Sequence, residues 1–221
     1  MDRHFEFRWD VVAQRWDWLA SGLGITVYLT VVSMAVALVL GLIIALLRMA
    51  KFRPVSLAAQ LYIDIFRAIP LFVFIIWLYY GLPIVLGINF TPVMAGVVCL
   101  SMQYAGWLAE IYRAGISAIG RGQREAAASL GLSSVQTFRD VVFPQALRLI
   151  IPPIGNNFVG MLKDSSLVSV IGVFELVRQA NLAVSLTFRP FEFYTTIALV
   201  YIVLTRLLSH WFMLLERRQR A

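Results

Sequence analysis

Long runs without a charge alternate along this chain with short polar clusters, and their spacing reads as a set of membrane-crossing helices. Trp18 to Leu47 holds thirty residues without a charged side chain, more than the ~20 that a helix needs to cross the hydrocarbon core. Arg48 ends that run, and Lys51-Phe52-Arg53-Pro54 follows as a basic turn. A helical stretch with Asp64 and Arg67 leads into a second charge-free run, Ala68 to Ala109, broken only by the turn-forming Gly81-Leu82-Pro83 and Gly87 to Pro92. Leu149 to Phe174 comes next, with Pro152-Pro153 and Gly155 interrupting its start and Lys163-Asp164 in its middle. Phe193 to Leu215 is the last, with Arg206 and His210 inside it. The pattern predicts spans at about 24–47, 62–86, 92–113, 149–172 and 193–215, all in one domain, 1–221. One sizeable polar region, about 114–148 with Arg121, Arg124, Glu125, Arg139, Asp140 and Arg148, separates the third span from the fourth.

Composition settles the class. Hydrophobic residues make up 60% of the chain, charged residues 14%, and mean hydropathy is +0.80, against roughly 45–50% apolar residues in soluble domains. The net charge of +7 therefore belongs to membrane-flanking loops, and no nucleic-acid partner is expected. Lys and Arg number 12 in segments 48–67, 110–148 and 216–221 and 5 in segments 1–20 and 175–192, so the first set faces the cytoplasm. Five spans then put the N-terminus outside, the C-terminus inside and Glu125 in the cytoplasm. Trp9, Trp16 and Trp18 stand where amphipathic rings settle at an interface. Residues 1–17 mix charges with aromatics and do not read as a cleavable signal.

Little in the chain suggests bond-making chemistry. Cys99 is alone and cannot form an internal disulfide. His4 and His210 lack metal-ligand spacing, so no metal site is expected. No nucleophile sits beside a base in a recognisable motif, so no catalytic residue is assigned. A phosphate-binding Gly-Lys-Ser/Thr loop is also missing.

Glu125-Ala126-Ala127-Ala128-Ser129-Leu130-Gly131 is a run of helix formers that ends on a glycine stop, and Leu132-Ser133-Ser134 then begins another helix. By propensity alone this is an interfacial connector. The full pattern is more specific: Glu-Ala-Ala, three residues, Gly131, nine residues, then Val141-Val142-Phe143-Pro144. It resembles the EAA loop of ABC importer permeases, whose short coupling helix docks on a cytoplasmic ATPase. The family form ends Ile-x-Leu-Pro; here Val141 and Phe143 hold the apolar positions.

Other stretches are similar to permeases of the polar amino-acid uptake class. They are Phe66-Arg67-Ala68-Ile69-Pro70, Ala109 to Ile116, Gly122-Gln123, and Leu162-Lys163-Asp164 through Gly172. Phe-Arg-x-Ile-Pro leans toward the glutamate/aspartate branch. The resemblance implies a type I importer permease in a bacterial inner membrane, paired with an identical or related permease. It also implies two cytoplasmic ABC ATPases that bind ATP and Mg, and a periplasmic amino-acid-binding protein. This chain itself would carry no cofactor. Glu125, Ala126, Ala127, Gly131 and Pro144 would form the ATPase-coupling element, with Glu125 placed near a helix start for the dipole.

The second candidate site is inside the membrane. Lys163 and Asp164 fall near the middle of span four, Gln103 near the middle of span three and Arg206 near the middle of span five. Charges at that depth cost a few kcal/mol or more and usually face a bundle interior or a water-filled path. Adjacent residues project about 100° apart, so Lys163 and Asp164 cannot easily satisfy each other. Two readings stay open: Asp164 pairs with Lys163 or with Arg206 across helices and locks the bundle, or the charges line a solute path. On the second, an amino acid's carboxylate meets Lys163 or Arg206, its ammonium meets Asp164, and Gln103 bonds to either. Asn157, with Asn156 beyond the Pro152-Pro153 break, is a candidate for the inner gate. The rival functions are a stand-alone secondary transporter or channel, which lacks a convincing inverted repeat here, and a membrane anchor, which has no use for mid-membrane charge.

Overall fold

Small residues set how closely the helices approach. The computed structural model describes the backbone of residues 6–220 and the side chains of 6–217, so His4 lies outside the described residues. These residues form helices: α1 Asp10–Gln14, α2 Trp16–Arg48, α3 Arg53–Ala68, α4 Leu71–Leu86, α5 Pro92–Ser117, α6 Arg121–Ser129, α7 Ser134–Ile171, α8 Leu176–Thr187 and α9 Pro190–Arg220. Helices α2 and α5 pack along most of their length. Ala37, Gly41 and Ala45 recur every fourth residue on the buried side of α2, and Gly41 and Ala45 meet Ala105 and Ala109 of α5. Such small-residue stripes replace the missing hydrophobic drive between helices in lipid. The contact is tight: a Cβ on Gly41 would lie 2.8 Å from Leu108 Cβ and 3.1 Å from the Ala105 carbonyl oxygen. Gly41→Leu is therefore expected to force α2 off α5 and lower the thermal unfolding midpoint of the detergent-solubilised protein by several degrees, whereas Gly24→Leu, where a Cβ meets nothing within 4 Å, should leave it unchanged.

Helices α2, α5 and α9 are each long and apolar enough to span a membrane, and two bent pairs add a fourth and fifth crossing if each pair counts as one. The stretch expected as a span at 62–86 is divided. Residues 62–68 end α3, and α4 leaves at 103°. Pro70 forces the residue before it out of the helical region, and both Ile69 (ψ 128°) and Pro70 (ψ 131°) are extended.

The second bent pair is α7 and α8, turned by 51°. The stretch expected at 149–172 belongs to α7, which starts at Ser134 and runs through Pro152 and Pro153 without stopping. The prolines remove two donors, but packing holds the turns: Gly155 lets Phe212 of α9 seat where a Cβ would be only 2.7 Å from Cγ. Helix α8 occupies what reads in sequence as a charged loop. Gly172 turns the chain at φ +86°. Glu175, fully buried, then caps α8 by accepting from the backbone N–H groups of Val177 and Arg178 at 2.9 and 2.8 Å. The Leu176 N–H donates to Thr26 Oγ1 of α2 at 3.2 Å. A carboxylate in a stretch that reads in sequence as a loop is thus an internal helix cap.

Candidate functional site

The candidate coupling segment, residues 125–131, is built from the glycine outward. Gly131 has φ +79°, a left-handed conformation that only glycine adopts freely. The Leu132 N–H donates to the Ala127 carbonyl at 3.2 Å and the Gly131 N–H to the Ala128 carbonyl at 3.0 Å, which closes α6 as a Schellman turn. Helix α6 begins at Arg121, so Glu125 is its fifth residue and lies beyond the first turn. The expected dipole role at a helix start is therefore corrected: the favourable field is confined to the first turn. Glu125, Ala126 and Ala128 are exposed, Ala127 is buried, and Leu130 stands 81% exposed just past the helix. The Glu125 carboxylate has no hydrogen bond or ion pair among the described residues.

Helix α6 is held between the helices that lead in and out of it. Ile116 and Ile119, before α6, pack with Val142, Ala146 and Ile150 of α7. A Cβ on Gly115 of α5 would fall 2.3 Å from Ile150 Cγ1, so α5 and α7 touch nearly backbone to side chain. Arg124 Nη2 donates to the Ile116 carbonyl at 3.3 Å, and Gln145 Nε2 to Gln123 Oε1 at 3.4 Å. Pro144 lies exposed in α7, just after a wide π-type turn over Thr137–Val142; the wide turn makes room for a ring that otherwise clashes with the carbonyl four residues back. A groove of about 400 Å³ runs beside α6, lined by Met49, Ile116, Arg124, Ala128, Leu132 and Phe138 among others.

The mid-bundle residues are arranged differently from the sequence expectation. Asp164 is partly buried and accepts a hydrogen bond from Tyr104 Oη at 2.7 Å. Neither Lys163 nor Arg206 is its partner: the ion pairs among the described residues join Arg8 to Asp10, Arg113 to Glu110, Arg139 to Asp140 and Arg189 to Glu192. Lys163 is exposed and projects away from Asp164. Arg206 is exposed on an outward stripe of α9 with Ile202, Val203 and Leu207, and no hydrogen bond or ion pair ties it to Asp164 among the described residues. Gln103 is buried, but its Nε2 donates to the Ile69 carbonyl at 2.8 Å, so it fills the acceptor freed where α3 breaks. Asn157 Nδ2 donates to the Pro153 carbonyl at 3.0 Å and Asn156 is exposed; with α7 unbroken at the prolines, they do not flank a gap. Lys163 and Asp164 remain together, and Tyr104 is the residue that sequence reasoning missed. It lies sixty positions away, and only the register of α5 against α7 brings it there.

The comparison that decides the family covers residues 37–221, which match the binding-protein-dependent transport system inner membrane component. The chain belongs to that permease family. Among its relatives, the permease is 36% identical to the arginine transport system permease of Bacillus subtilis (strain 168), over 92% of this chain and 93% of the other. It is 33% identical to the glutamine transport system permease of Escherichia coli (strain K12), over 97% and 99%. A crystal structure of an amino acid ABC transporter with histidines superposes on the permease with a TM-score of 0.91 at 40% identity, over 97% of this chain and 100% of that one. The inward-facing MetNI methionine transporter shares the fold at a TM-score of 0.76 and 20% identity, over 91% of this chain and 96% of that one. The arginine and glutamine permeases are of the class that the Glu-Ala-Ala and Lys-Asp-Ser-Ser stretches resemble.

Proposed function

We propose that this permease is the translocating subunit of an ATP-driven importer of polar amino acids, and that α6 is where ATPase movement enters the bundle. The carrying observation is the mounting of α6. Its outer side, with Glu125 unpartnered and Leu130 exposed, is open to another protein, while on its inner side Ala127 is buried, Arg124 bonds to Ile116 of α5 and Gln123 bonds to Gln145 of α7. A short helix clamped in this way passes a push on as rigid-body motion. ATP and Mg belong to two ATPase subunits, and a second permease and a binding protein complete the complex in the inner membrane. The exposed Arg206 stripe of α9 is a surface for the second permease, because a lipid-facing charge at mid-helix is costly.

Lys163 and Asp164 provide one cation and one anion, suited to the carboxylate and ammonium that every amino acid carries. The relatives' names, arginine and glutamine, support the polar class. The resemblance of Phe66 to Pro70 leans to glutamate or aspartate, and Lys163 without a partner favours a carboxylate nearby. The test is ATPase stimulation in the reconstituted complex by the binding protein loaded in turn with glutamate, aspartate, glutamine and arginine. Stimulation by one or more of these is expected. An ATPase that does not co-purify with the permease would overturn the reading and favour a stand-alone transporter or channel.

A further inference from the structure

Asp164 is held by a group whose own position is fixed by packing. Tyr104, on α5, is buried in the main apolar core with Leu100, Leu108 and Met161, and its hydroxyl donates to Asp164 Oδ2 at 2.7 Å. Gly160, one turn before Asp164 on α7, leaves the space that the phenol uses: a Cβ there would come within 3.0 Å of Tyr104 Oη. The second carboxylate oxygen, Oδ1, accepts no hydrogen bond among the described residues.

A carboxyl group turns easily about its last torsion, whose preference is broad. A donor of fixed position that takes one oxygen removes that freedom and directs the other. We propose that Tyr104 is the positioning residue of the solute site: by donating to Oδ2 it turns Asp164 so that Oδ1 receives the ammonium group of an amino acid. This rests on the reading of Asp164 as a solute ligand. Tyr104 and Asp164 belong to α5 and α7, the two helices that flank α6, so a shift of one helix against the other also re-aims the carboxylate.

Equilibrium binding of radiolabelled amino acids to the detergent-solubilised complex, without binding protein, tests this. The probe is whichever of glutamine, arginine and glutamate the unaltered complex binds. Tyr104→Phe is expected to weaken binding about tenfold, the worth of one hydrogen bond to a charged group. Asp164→Asn should weaken it at least as much, and the double variant should be no weaker than Asp164→Asn alone, because Tyr104 acts only through that carboxylate. Should Tyr104→Phe fail to fold, Gly160→Ala crowds the hydroxyl while keeping the phenol, and the same tenfold loss is expected. Unchanged binding in Tyr104→Phe or Gly160→Ala, or an equal further loss when either is added to Asp164→Asn, overturns the proposal, since a packing role would add. Binding that is indifferent to Asp164→Asn instead overturns the solute-ligand reading itself.

Discussion

Replacing Gly131 with valine is expected to separate transport from membrane insertion. The left-handed backbone at φ +79° costs a side-chain-bearing residue about 1–2 kcal/mol, and more for a β-branched one. No steric clash adds to this, because a Cβ at Gly131 meets nothing within 4 Å. The strain therefore falls on the Schellman turn, where the Leu132 and Gly131 amides bond back to Ala127 and Ala128. If that turn must be in place for docking, ATPase association weakens by roughly 5- to 30-fold. The packing of α2 against α5 lies elsewhere and is untouched, so the protein should insert and unfold on heating much as before. Co-purification of the ATPase through a tag on the permease reads the effect. A Gly131→Val complex that co-purifies and transports normally would remove the coupling assignment.

The second large effect is expected at Lys163 and Asp164. Asp164→Asn removes the charge but keeps an oxygen that accepts from Tyr104, so it tests charge apart from the hydrogen bond across α5 and α7. Loss of one charge-assisted contact to the solute is worth about 1.5–3 kcal/mol, or roughly 10- to 100-fold in solute binding. Lys163→Met should lose a similar factor, and neither variant should change the thermal unfolding midpoint much, because neither side chain is deeply buried or ion-paired. Uptake unchanged in rate and in substrate range after both substitutions would remove the solute-path reading.

Much of this arrangement is legible in the chain because membrane helices announce themselves by length without charge. The runs ending at Arg48 and beginning near Pro92 and Phe193 correspond to α2, α5 and α9. Gly131 is legible for a similar reason, since a glycine after helix formers is a local signal. The misreadings share a cause: each depends on what a residue meets far along the chain. Pro70 marks a bend, but its size is set by how α4 packs against α5 and α7, and Gln103 supports it from thirty-four positions away. Pro152 and Pro153 read locally as a break, and the contact between Gly155 and Phe212 overrides them. Glu175 reads as a loop charge because nothing near it in sequence shows that Tyr201 of α9 donates to it. At the proposed solute site the charged pair is visible in sequence. The partner of Asp164 is not, because Arg206 matches it in charge and depth while Tyr104 matches it in register.

The most direct test of the account is accumulation of a radiolabelled amino acid by proteoliposomes that hold the complete complex, with binding protein on one face and ATP with Mg on the ATPase face. Accumulation against a gradient is expected only when both are present, with Gly131→Val lowering it in step with the weaker ATPase association while leaving the permease in the membrane. Accumulation that proceeds without ATP, driven by an ion gradient alone, would contradict the account.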